Sequence, residues 1–152
     1  MDIKHYYIEK GQGEPLILLH GNGEDSTYFV NQIDEFSPYY RVLALDTRGH
    51  GQTPRGEASF TIRQFADDLL VFLDRMNIQK ANILGFSDGA NIAMCFASKY
   101  PERVLKLVLN GGNLDTQGIE RIFKHRLKMP MKQQKETQIR VKKQEQKWRC
   151  LA

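Results

Sequence analysis

The sequence predicts an α/β fold with a doubly wound, mostly parallel sheet. Two observations predict it: short aliphatic runs that each end in turn residues, and segments of helical period between them. A third makes it feasible. At 152 residues and 41% hydrophobic, the chain is long enough for one domain with a real core.

The elements follow in order. His5-Tyr6-Tyr7-Ile8 reads as a first strand, and Gly11-Gln12-Gly13 turns the chain. Pro15–Leu19 is a continuous apolar run ending at His20-Gly21, and Arg41–Leu45 is another ending at Asp46. Ala81–Leu84 ends at Gly85, and Val104–Leu109 ends at Asn110. Runs of this kind fit strands buried on both faces of a parallel sheet. Ser26–Phe36 is a weak helix between the first two runs. Thr61 caps a stronger one, with Ile62, Phe65, Ala66, Leu69, Leu70, Leu73 and Met76 on one face. Asp67, Asp68, Asp74 and Arg75 are expected on or near the opposite face. A third helix spans about Gly89 to Tyr100 and stops before Pro101. Right-handed crossovers then generate the doubly wound sheet.

Charge divides the chain in two. Residues 119–152 hold 11 Lys/Arg against 3 Asp/Glu, whereas 1–118 hold 11 against 15. The expected organisation is a core over 1–118, then the start of a cap helix (Ile119–Leu127) and a basic, poorly ordered tail through 152. Within Lys132–Arg149 the sizeable apolar residues are Ile139, Val141 and Trp148 only, too few to offset ordering entropy. Only Trp148 is aromatic there, so a nucleic-acid partner is not expected. No apolar run is long enough to span a membrane, and the charged first ten residues do not read as a secretory signal. Cys95 and Cys150 lack metal or redox spacing. A cytoplasmic protein without cofactor or metal is the expectation.

The chemistry concentrates in Gly85-Phe86-Ser87-Asp88-Gly89. A chain that leaves a strand and enters a helix within a few residues turns sharply, and small residues on either side avoid a clash. The serine oxygen is then exposed at the carboxyl edge of the sheet, where the helix N-terminus favours negative charge. Acyl transfer also needs donors aimed at an oxyanion. The backbone N–H of Asp88 is one candidate. That of Asn22, in His20-Gly21-Asn22-Gly23 after an upstream strand, is the other.

His20-Gly21-Asn22-Gly23, then Asp46-Thr47-Arg48-Gly49-His50-Gly51, then the serine turn resemble in order and spacing the amino-terminal part of the α/β-hydrolase fold family. The resemblance covers about residues 5–115. The Ser-Asp-Gly-Ala form of the turn is similar to small bacterial esterase or amidase members and to the valacyclovir hydrolase-like branch. The resemblance implies a serine hydrolase acting on a small ester or amide through Ser87. It assigns His20, Asp46 and His50 structural roles. It also implies an acid and then a histidine after further strands. No such strands are legible here, and the expectation is a truncated fold lacking its carboxyl-terminal strands, with little or no turnover. His125, the one histidine after Ser87, and Asp115 read as cap and loop residues rather than a relocated acid–base pair. A non-catalytic remnant or small-molecule binding module is the alternative. Val104–Leu109 would then be an apolar sheet edge open to self-association.

Overall fold

The computed structural model describes residues 2–112 and the strand at 138–141. Six strands form one sheet: β1 (Tyr7–Lys10), β2 (Pro15–Leu19), β3 (Arg41–Leu45), β4 (Ala81–Phe86), β5 (Val104–Asn110) and β6 (Gln138–Val141). Their spatial order is β1-β3-β2-β4-β5-β6. β1 runs antiparallel to β3, and all other pairs are parallel.

The β2 and β3 bounds are those read from the aliphatic runs. β4 continues two residues past Leu84, because Gly85 and Phe86 still pair with Leu109 and Asn110. β1 begins two residues later than predicted and runs to Lys10.

Alternation along the strands gives each face its own core. Leu16, Leu18, Val42 and Ala44 pack with Phe29 and Ile33. Those last two belong to the segment where a 3₁₀ turn at Ser26–Phe29 leads into α1 (Val30–Phe36). Ile17, Leu19, Leu43, Leu45 and Ile83 point the other way, into a larger cluster with α2 (Ile62–Arg75) and α3 (Asp88–Lys99). Thr61 caps α2 as predicted, its Oγ1 accepting the Gln64 N–H at 3.2 Å.

From β2 the chain steps outward to β3, then crosses back over β2 to β4. The direction of winding therefore reverses between β2 and β4. A crevice outside the carboxyl ends of strands at such a reversal is where open α/β sheets bind ligands. The loop after β2 carries His20–Glu24, and the turn after β4 carries Ser87.

Two expectations are corrected. Asp68 does not lie on the solvent side of α2: it is buried, paired with Arg48 of the loop after β3. The tail is not wholly without structure either. Gln138–Val141 adds to the sheet beside β5, with Leu107 opposite Ile139 and Leu109 opposite Val141. Backbone pairing along β5 supplies what the local composition does not, and β5 is not the sheet edge. The expected cap-helix start at Ile119–Leu127 lies outside the described residues. Among the described residues no helix is long and apolar enough to cross a membrane.

Candidate active site

Ser87 has φ 51° and ψ −116°, a conformation non-glycine residues rarely adopt. The neighbours over-determine it. Its N–H donates to the Asn110 carbonyl of β5 at 2.8 Å. Its carbonyl accepts the N–H groups of Ala90 (2.9 Å) and Asn91 (3.2 Å) in the first turn of α3. The flanking glycines are required by close approach. A Cβ on Gly89 would stand 2.0 Å from the Leu19 carbonyl oxygen, and one on Gly85 would stand 2.2 Å from that of Gly89. The helix thus starts hard against β2 and β4, with the half-buried serine at the crest of the turn.

The loop after β2 lies directly opposite. A Cβ built on Gly21 would be 3.2 Å from Ser87 Cβ and 3.3 Å from Phe86 Cδ1. Asn22 follows, exposed. Among the described residues its N–H has no internal acceptor. Asp88 is the first residue of α3, where a backbone N–H has no intrahelical acceptor either. The loop after β2 and the start of α3 thus both carry backbone N–H groups without an acceptor among the described residues.

His20 is buried and fully committed. The Thr47 N–H donates to its Nε2 at 3.0 Å, and its Nδ1 lies 2.7 Å from the Gly21 carbonyl oxygen. An Nε2 that accepts cannot carry the proton, so Nδ1–H is the donor to Gly21 and the ring is neutral. Burial lowers its pKa, which holds it in that form. His20 therefore braces the loop after β2, linking Gly21 to Thr47.

The loop after β3 is scaffolding. Asp46 accepts the N–H groups of Ser26 and Gln52, each at 2.7 Å, joining two loops. His50 Nδ1 lies 3.1 Å from Thr47 Oγ1 and 3.1 Å from the Arg48 carbonyl, and its Nε2 is 3.4 Å from Asn22 Oδ1. Among the described residues no imidazole hydrogen-bonds Ser87.

Sequence reasoning missed two features here. Arg48 is fully buried and uses all five of its N–H donors: two on Asp68, two on Asp2 and one on the Arg55 carbonyl. The hydrogen bonds to Asp68 and Asp2 raise the pKa of Arg48, and the bond to Arg48 holds the Asp2 carboxyl far below the usual range. Helical periodicity gives no sign of a partner so distant in the chain. The second is an aromatic wall beside the serine. Tyr28 stacks on Phe86 at 4.8 Å and 14°. Burial raises the Tyr28 phenol pKa, and the Glu24 charge adds to the effect.

His125 and Asp115 lie outside the described residues. Among those described, no group of three or more His, Cys, Asp or Glu side chains is placed to hold a metal ion. Cys95 is half-buried, with its thiol pKa raised by burial.

Comparison with known proteins matches residues 14–141 to the alpha/beta hydrolase fold family model. The chain is 36% identical over 107 residues to (E)-2-((N-methylformamido)methylene)succinate hydrolase of Acinetobacter baylyi, covering 70% of this chain and 41% of that protein. It is 34% identical over 110 residues to a cis-3-alkyl-4-alkyloxetan-2-one decarboxylase of Shewanella oneidensis, covering 70% and 35%. Among solved structures it is similar to a Bacillus megaterium epoxide hydrolase variant, with TM-score 0.69, 33% identity and coverage of 72% and 39%. The chain spans about two fifths of the length of these relatives.

Proposed function

The chain belongs to the alpha/beta hydrolase family, and from that premise we propose that its site is the nucleophile half of a serine hydrolase. Ser87 Oγ would attack the carbonyl carbon of a small ester or amide. The carbonyl oxygen would become a tetrahedral oxyanion, held by the Asn22 and Asp88 backbone N–H groups. Supporting this reading above all is the strained Ser87 turn, facing Gly21 across the switch point.

The reaction also needs a base to take the Ser87 proton and return it to the leaving group. His20 is committed to Thr47 and Gly21, and His50 reaches Thr47, Arg48 and Asn22 rather than Ser87. With the described residues alone, among which no such base meets Ser87, only the residual catalysis of the oxyanion donors and binding would remain. Little turnover is therefore expected, although a strongly activated electrophile should still react. The proposed partner is a small ester or amide in the cytoplasm, with no nucleic acid, membrane or cofactor.

The absence of an imidazole on Ser87 among the described residues favours a second reading, a non-catalytic binding module on a hydrolase scaffold. Treating the folded chain with a fluorophosphonate separates the two. Labelling lost in Ser87→Ala supports the hydrolase reading. A folded chain that stays unlabelled supports the binding module.

A further inference from the structure

We propose that Glu24 is a positioning residue for the oxyanion loop, holding the turn that presents the Asn22 N–H to Ser87. The proposal rests on the hydrolase reading for its catalytic meaning, but its structural basis is separate. Gly21-Asn22-Gly23-Glu24 is a four-residue turn closed at both ends by one residue. The Glu24 N–H donates to the Gly21 carbonyl at 3.3 Å, while the Gly21 N–H donates to Glu24 Oε2 at 2.9 Å. His20 Nδ1–H adds a third bond, to the same Gly21 carbonyl. Gly23, the second central residue, has φ +75°, as a type II turn requires at that position. Asn22 is the first central residue, and its N–H, like that of Gly23, has no acceptor among the described residues.

The Gly21 bond does two things. It removes a competing donor: an unpaired Gly21 N–H beside Ser87 would let the loop rotate and offer either amide. It also sets the distance between the loops, since Gly21 is the residue against Ser87 and Phe86. The side chain that does this is a carboxylate, which is electrostatically adverse beside a developing oxyanion. Hydrogen-bond acceptance, not charge, is therefore its useful property here. The acceptor geometry survives in a glutamine, which lacks the charge.

The test uses the full chain with Glu24→Ala and Glu24→Gln, checked for folding by circular dichroism. Two quantities are read: amide hydrogen exchange at Gly21, and the rate of Ser87 labelling by a fluorophosphonate. In Glu24→Ala the Gly21 amide should exchange at least about tenfold faster, and labelling should slow about tenfold. That loss is smaller than the ~10²–10³ lost when an oxyanion donor is itself removed. Glu24→Gln should restore both. Unchanged Gly21 exchange in Glu24→Ala overturns the proposal, as does a Gln variant as impaired as the Ala variant. If the wild type does not label at all, the hydrolase reading fails, and Gly21 exchange still decides whether Glu24 holds the turn.

Discussion

The Ser87 amide donates a 2.8 Å hydrogen bond to the Asn110 carbonyl, so the residue with the least favourable backbone is tied to the end of the neighbouring strand. The tie explains how the strain persists. A non-glycine residue at φ 51° costs about 1–3 kcal/mol, and it is retained only when surrounding bonds leave no alternative. Here those bonds come from β5 on one side and the first turn of α3 on the other.

Replacing the serine in two ways separates strain from chemistry. Ser87→Ala keeps a Cβ and the strain, whereas Ser87→Gly removes both. Ser87→Gly is expected to be more stable than Ser87→Ala by about 1 kcal/mol at equilibrium, even though glycine also gains freedom in the unfolded chain. Urea midpoints of the two variants measure it. Equal midpoints would mean the turn is not strained.

Gly89 is expected to tolerate no side chain. A Cβ there would meet the Leu19 and His20 carbonyl oxygens at 2.0 and 2.7 Å, backbone atoms at the end of β2 and the start of the loop that faces the serine. Gly89→Ala must push α3 away from β2, at a cost of about 1–3 kcal/mol. The same displacement should open the gap between the Asp88 and Asn22 amides. Chemical denaturation and Ser87 labelling should therefore both register it. A fully stable variant with undiminished labelling would contradict the packing.

The parts of this fold written in local sequence were legible. Pro15–Leu19 and Arg41–Leu45 are apolar on every residue that the sheet buries, apart from the half-buried Arg41. The Thr61 cap and the glycines around Ser87 are consequences of neighbouring residues. The parts that depend on distant partners were not. Asp68 reads as a solvent residue because nothing in α2 reveals Arg48, and Asp2 lies 46 positions from the guanidinium it binds. The strand at Gln138–Val141 sits in a Gln- and Lys-rich stretch, and its pairing with β5 is set by the open edge rather than by composition. Within the site, the serine turn was readable, but the turn closed by Glu24 and the stacking of Tyr28 on Phe86 needed the loops in three dimensions.

The Arg48–Asp68 pair makes its own test. Both side chains are almost fully buried, at 0% and 3% exposure, so removing one partner strands a charge. Arg48→Met is expected to destabilise the chain by about 3–5 kcal/mol. Asp68 would keep only the Gln64 amide, 3.0 Å from Oδ1. The double variant Arg48→Met/Asp68→Leu should recover much of that loss, because an apolar pair leaves no buried charge. A double-mutant cycle by urea denaturation measures the coupling. Additive losses would show that the pair does not act as a unit.

Mild acid should loosen the site before it unfolds the sheet. His5 and His20 are both buried, and burial lowers the pKa of each below the ordinary value of 6.5. The unfolded chain therefore takes up protons first. Stability is fully present above the unfolded pKa and is lost as pH falls from there toward the folded pKa values. At His20 protonation has a local cost as well: a charged ring can no longer accept the Thr47 N–H at Nε2, and that bond fixes the orientation of the ring on Gly21. His20→Gln is expected to flatten part of the stability loss that sets in as pH falls below about 6.5, while His5 contributes another part. Urea midpoints across that range test this. A His20→Gln variant with the full wild-type pH dependence would show that the His20 ring does not couple folding to protonation.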